Sequence, residues 1–287
     1  MESGQQRLKS LRVREVEAVV STFWIGTGWK MNKTVAETRR YIADLKTQLP
    51  SKAGADCALF IIPPFTALAA AREAIGAAPV LLGAQNMHWA EAGAYTGEIS
   101  AAMLEEFGID LVELGHSERR EHFGETDATI NLKVKAALRH GIRPLLCVGD
   151  SAEERAAGAS AAAVVRQMRL AFAGLKKGEI GRCLVAYEPV WAIGERGVPA
   201  SPEEARAVHV ALHVALKELG APSVPVLYGG SVNLDNAIAL ASEPAIDGLF
   251  VGRAAWSADG FASLISRVRA TRKQMSSSSA DAMPTIG

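Results

Sequence analysis

Neither sign of charge prevails in this chain: 31 Lys and Arg residues balance 31 Asp and Glu, a formal net charge of zero over 287 residues. Nothing global therefore draws it to nucleic acid or to an anionic membrane, and an anionic ligand has to be met by a local site. Although 49% of the residues are hydrophobic, no apolar run approaches the roughly 20 residues of a membrane span. Cysteine is scarce and odd in number. Cys57, Cys147 and Cys183 all sit in apolar runs, which suits buried thiols in a reducing cytoplasm rather than a disulfide framework. No GxGxxG dinucleotide fingerprint is present. Lys33-Thr34 has the ending of a phosphate-binding P-loop, but Asn32 and Thr27 stand where its glycines belong. His209 and His213 share a helical face without the glutamate of HExxH, since Val210 takes its place, so they read as a packed face rather than a metal site. Redox and nucleotide chemistry are disfavoured, and no metal or cofactor is expected. Residues 1–22 lack the apolar centre of a secretory signal and read as a flexible extension.

What the chain does have is alternation. Apolar, β-rich runs at 23–27, 57–62, 80–84, 111–114, 144–148, 183–187, 226–228 and 248–251 are each followed by a helix-like stretch. Among these stretches are 34–48, 129–140, 202–219 and 234–241. Ser201 followed by Pro202, with Glu203 and Glu204 in the first turn, is a strong helix start. Eight such units of roughly 30 residues predict an α/β fold with one closed (β/α)8 TIM barrel rather than an open sheet. The barrel domain is expected over 23–270. Residues 271–287, with four consecutive serines at 276–279, read as a disordered tail.

Barrel chemistry sits where strands end at their C-terminal rim. The residues there are Gly28 and Lys30 after the first run, His116-Ser117-Glu118 after the fourth, Glu188 after the sixth, Gly229-Gly230-Ser231 after the seventh and Gly252-Arg253 after the eighth. Glu188 leaves an apolar strand end, so partial desolvation strengthens it as a general base. His116 opens a helix, which disfavours a cationic ring and leaves a neutral imidazole able to donate a hydrogen bond. Lys30 is placed to point across the mouth, and the glycine turns can aim backbone N–H groups at a phosphate. A carboxylate, an imidazole, an ammonium and anion-binding turns on one rim make a proton-transfer constellation for a phosphorylated substrate.

Several of these segments carry a resemblance. They are Trp29-Lys30-Met31-Asn32, Gly83-Ala84-Gln85-Asn86, Thr96-Gly97-Glu98, Gly115-His116-Ser117-Glu118-Arg119-Arg120, the run from Tyr187 to Gly194, and Tyr228-Gly229-Gly230-Ser231-Val232. In order and spacing, from Phe23 to Arg269, the chain resembles the triosephosphate isomerase family. The resemblance implies an isomerase with Glu188 as proton-abstracting base, a neutral His116 as electrophile and Lys30 compensating negative charge. Glu118, with Ser117, would support these groups from behind. Gly194, Ser231, Gly252 and Arg253 would hold the phosphate, residues 189–200 would form a lid, and residues 86–98 would enter a partner in a homodimer. The last expectation has a second ground, because Met87, His88, Trp89 and Tyr95 make that loop apolar for an exposed one.

Three departures from the family pattern touch substrate contacts while leaving base and electrophile in place. Gly28 replaces an asparagine, the lid reads Ile193-Gly194-Glu195-Arg196-Gly197-Val198-Pro199, and Arg253 follows Gly252 where a second glycine is usual. They are similar to a bacterial branch of the family that serves erythritol catabolism. A four-carbon ketose phosphate, one hydroxymethyl group larger than a triose phosphate, is the implied substrate, with room for it expected at Gly28. Triose phosphates are the alternative. A Schiff-base aldolase would need a lysine on an inner strand where Glu188 stands, and a non-catalytic sugar-phosphate binder would be expected to have lost Glu188 or His116.

Overall fold

The computed structural model describes residues 23–49, 54, 57–194 and 197–281. The extension at 1–22 and the lid residues Glu195 and Arg196 lie outside them. Eight parallel strands close into a barrel in sequence order. They are β1 (Phe23–Gly28), β2 (Cys57–Ile62), β3 (Val80–Ala84), β4 (Leu111–Leu114), β5 (Arg143–Val148), β6 (Leu184–Tyr187), β7 (Val226–Tyr228) and β8 (Gly248–Val251). The ring is sealed where β1 pairs with β8, Trp24 lying opposite Gly248.

Helices on the outside include α1 (Val35–Gln48), α2 (Leu68–Ile75), α3 (Ala101–Glu106), α4 (Ser117–Phe123) and α5 (Asp127–Arg139). They continue with α6 (Ala152–Ala156), α7 (Ser160–Ala171), α8 (Lys177–Ile180), α9 (Pro202–Glu218), α10 (Ala237–Ser242) and α11 (Ala258–Asp281). Local chemistry starts the principal ones. Ser201 Oγ accepts from Glu204 N–H while Glu204 Oε2 accepts from Ser201 N–H, a reciprocal cap with Pro202 in the first turn. Thr34 and Glu37 do the same for α1.

Strand alternation sorts the core into two layers. Trp24, Phe60, Ile62, Leu111, Leu145, Cys147, Leu184, Ala186, Leu227 and Phe250 fill the barrel interior. The opposite strand faces pack beneath the helices. Among the described residues no helix is long and apolar enough to cross a membrane.

Three expectations meet the structure here. The barrel's last helix does not stop at residue 270. It runs to Asp281, so residues 271–281, expected in the tail, are helical. Residues 271–275 are largely straight-chain helix formers, and Arg272 ties this stretch down by donating to Ala241 O and lying 4.9 Å from the Phe23 ring. His209 and His213 do sit on one helix, but they do different things. His213 pairs with Asp247 at 3.1 Å, whereas His209 is buried against the rings of Tyr187 and Tyr228. The loop at 86–98 is largely tied to its own chain. Met87 and His88 are buried, Lys133 Nζ donates to Asn86 Oδ1 at 2.8 Å, and His88 stacks between Trp89 and Tyr95. Its apolar side chains are thus mostly covered without a partner, and Tyr95, 47% exposed, is the large one left at the tip.

Burial pushes the His209 imidazole down to about 3. The unfolded chain therefore takes up a proton that the folded one refuses, so this histidine costs no stability above pH ~6.5 and progressively more below it. The loss amounts to about 2 kcal/mol at pH 5. His209→Leu removes that penalty. The melting temperature of the variant relative to wild type should rise as pH falls from 7.5 to 5, and a difference independent of pH would count against this account.

Candidate active site

The C-terminal rim opens into a cavity of about 470 Å³. Among its lining are Gly28, Lys30, Glu113, His116, Glu188, Gly194, Ser231, Gly252 and Arg253. Eight of these nine were singled out from sequence. Glu113 was not.

Glu188 continues the inward parity of Leu184 and Ala186 on β6 and is 2% exposed. Its N–H donates to Val148 O at 2.7 Å, which fixes the backbone from which the carboxylate projects. Oε2 is buried without a hydrogen-bond partner among the described residues, so it keeps a lone pair free to accept a proton. Gly229 makes room for it: a Cβ there would lie 2.8 Å from Glu188 Cγ.

His116 caps α4, and its Nδ1 accepts the Glu118 N–H at 3.1 Å. A backbone amide only donates, so Nδ1 must hold the lone pair and the ring proton belongs on Nε2. Nε2 lies 3.8 Å from Glu188 Oε1, and both side chains line the cavity. The carboxylate of the same Glu118 accepts from Lys30 Nζ at 2.5 Å. Burial pushes the Glu118 carboxyl up, but Lys30 and His116 outweigh it and hold it below the usual range. Lys30 has a left-handed backbone, φ 51°, unusual for a side-chain-bearing residue. Gln85 steadies it by donating to Lys30 O at 2.7 Å. Ser117 opens α4 but does not line the cavity, and no side-chain contact ties it to His116.

The segment after Glu188 begins with a single 3₁₀ turn, Val190–Ala192. Buried Asp150, at the end of β5, holds this turn by accepting from Tyr187 Oη at 2.8 Å, Trp191 Nε1 at 3.1 Å and, on its carbonyl, Val190 N–H. Arg155 covers the Trp191 ring at 3.8 Å. Asp150 carries no signal in a lone sequence, since its partners come from a different strand and loop.

Glu113 does leave a signal. In Leu111-Val112-Glu113-Leu114 it shares parity with the inward Leu111, so a carboxyl was bound to enter the interior. Glu113, His116 and Glu188 each bring one donor atom within 4.8 Å of the others, a set that would also fit a divalent ion. The room expected at Gly28 proves occupied. A Cβ there would stand 3.1 Å from Phe250 Cζ and 3.5 Å from Glu113 Oε2, so those side chains have already moved into the space an asparagine would take.

A closed (β/α)8 barrel with a carboxylate facing an Nε2-protonated imidazole in a glycine-rimmed cavity defines an isomerase of phosphorylated sugars. The triosephosphate isomerase family model matches residues 23–268. The chain belongs to that family. Among curated relatives it is 49% identical over 249 residues to L-erythrulose-1-phosphate isomerase of Brucella abortus, covering 86% of this chain and 97% of that protein. The protein of the same name from Mesorhizobium japonicum is 50% identical over 252 residues, covering 86% and 98%. That from Mycolicibacterium smegmatis is 49% identical over 251 residues, covering 87% and 94%.

If Glu188 is the base, Glu188→Gln keeps its shape and removes the proton acceptor. Isomerase turnover should fall by about 10²–10⁴-fold with little change in substrate affinity. Near-normal turnover in that variant would remove Glu188 from the chemistry.

Proposed function

We propose that the protein converts L-erythrulose 1-phosphate into D-erythrulose 4-phosphate through an enediol. The observation that carries this reading is the opposed pair of Glu188 carboxylate and His116 Nε2–H, set in a cavity whose relatives are named for that substrate. Glu188 removes the proton from C3 as the electron pair of that C–H bond becomes the C2–C3 double bond. The C2 carbonyl π electrons move onto oxygen. His116 Nε2–H donates to that oxygen, and the Lys30 ammonium, already held by Glu118, offsets the charge. With the hydroxyl proton moved from the C3 oxygen to the C2 oxygen, return of a proton to C2 leaves the carbonyl on C3. No atom is gained or lost, and no cofactor enters the balance.

Gly194, Ser231, Gly252 and Arg253 are assigned to the phosphate, which places it on the β6–β8 side of the mouth. Closure of the lid at 189–200 keeps water from an enediolate that would otherwise expel phosphate. Triosephosphate isomerisation would use the same machinery on a chain one carbon shorter. Three free, buried cysteines fit a cytoplasmic setting, and a role in erythritol catabolism follows from the substrate.

The wild type should show kcat/KM for L-erythrulose 1-phosphate above that for dihydroxyacetone phosphate by about 10²-fold, the scale of discrimination that one lost polar contact and poorer positioning give. Equal or better turnover of the triose phosphate would replace this reading with triosephosphate isomerase. A homodimer is proposed as well, supported by the exposed tip of residues 91–98 around Tyr95. Sedimentation at micromolar concentration should give twice the chain mass, and a fully active monomer would exclude it.

A further inference from the structure

Among the described residues lining the cavity, Glu113 is the one charged group that the reaction above does not use. It is 6% exposed, yet no described group hydrogen-bonds its carboxyl, and His116 Nε2 lies 4.0 Å away, beyond reach. Its oxygens are not sealed from the cavity as Glu188 Oε2 is, and packing alone at this position would be met by another leucine like Leu111. Burial pushes the group up to about 7 against the pull of His116, with Glu188 adding to the rise. Near neutral pH it can therefore both donate and accept a hydrogen bond, as an alcohol does.

Its place in the cavity decides what it meets. The loops assigned to phosphate follow β6, β7 and β8, while Glu188 and His116 flank the reacting carbons. A group attached beyond the deprotonated carbon points away from the phosphate, toward the floor. That floor is closed by Gly28, Phe250 and Glu113, whose Oε2 stands 3.5 Å from where a Cβ on Gly28 would be. The missing side chain of Gly28 and the carboxyl of Glu113 are thus two halves of one arrangement.

We propose that Glu113 is a specificity-determining residue whose carboxyl hydrogen-bonds the hydroxyl of the hydroxymethyl group distinguishing a four-carbon from a three-carbon ketose phosphate. The inference rests on the tetrulose phosphate reading, and Gly28 then serves to let Phe250 and Glu113 approach rather than to make the contact.

The test compares kcat/KM for L-erythrulose 1-phosphate and for dihydroxyacetone phosphate in wild type, Glu113→Gln and Glu113→Leu. Thermal melts report folding, and Glu113→Gln, which keeps size plus a donor and an acceptor, stands in if the leucine variant does not fold. Glu113→Leu should lose about 10²-fold on the tetrulose phosphate, with the glutamine variant intermediate. On the triose phosphate, which lacks the hydroxymethyl group, both should stay within a few-fold of wild type. Equal losses on both substrates in a folded variant, or no loss on either, overturn the proposal. So does activity that EDTA abolishes and Mn²⁺ or Zn²⁺ restores in wild type alone, since Glu113 would then be a metal ligand with His116 and Glu188. A wild type that prefers the triose phosphate sinks the substrate reading and this inference together. Failure of the variants in an enzyme that prefers the tetrulose phosphate sinks this inference alone.

Discussion

The hydrogen bond from the Glu118 backbone to His116 Nδ1 governs the chemistry of the cavity, because it leaves the ring one proton to offer and directs it inward. The same residue's carboxylate holds Lys30, so one short helix start orients both the hydrogen-bond donor and the cation. Lys30 accepts a left-handed backbone to reach that partner. Strain of this kind persists where neighbouring contacts over-determine a conformation, and Gln85 on the next segment supplies one of them.

Barrel closure adds a second constraint. Inward parity on β4 and β6 delivers two carboxyl groups to the same cavity. Two charges of one sign cannot both be held there cheaply, and the surroundings separate their roles. Glu188 lines the cavity and keeps a buried, unpartnered oxygen among the described residues, while burial, with Glu188 adding to it, pushes the Glu113 carboxyl up to about 7. Cys147 between the strands feels the same environment, since burial, with both carboxylates adding to it, pushes its thiol well up and keeps it inert.

The segment between β6 and α9 is tied to the scaffold at both ends. Asp150 gathers Tyr187, Val190 and Trp191 in the turn after β6, so that turn is anchored to β5, and Val198 N–H returns to Trp191 O. At the other end Ser201 and Pro202 begin α9 abruptly.

Sequence alone determined the eight-unit barrel, since short apolar runs each followed by a helical stretch admit few other closures, and strand boundaries at 57–62, 80–84, 111–114, 226–228 and 248–251 agree with the structure. It also marked Glu188, His116 and Lys30 as candidates, because each lies within three residues of the end of an apolar run, and the structure brings them to one cavity. Helix ends were less legible. Residues 271–281 look like tail by composition, and only the docking of Arg272 on Ala241 and Phe23 shows that the helix carries on. The partners of Asp150 and the tautomer of His116 are three-dimensional facts, set by atoms that folding brings together. Gly28 is the clearest division between the two. The chain shows that a side chain is missing there, and only the packed barrel shows that Phe250 and Glu113 fill the space, because strands far apart in sequence meet at one floor.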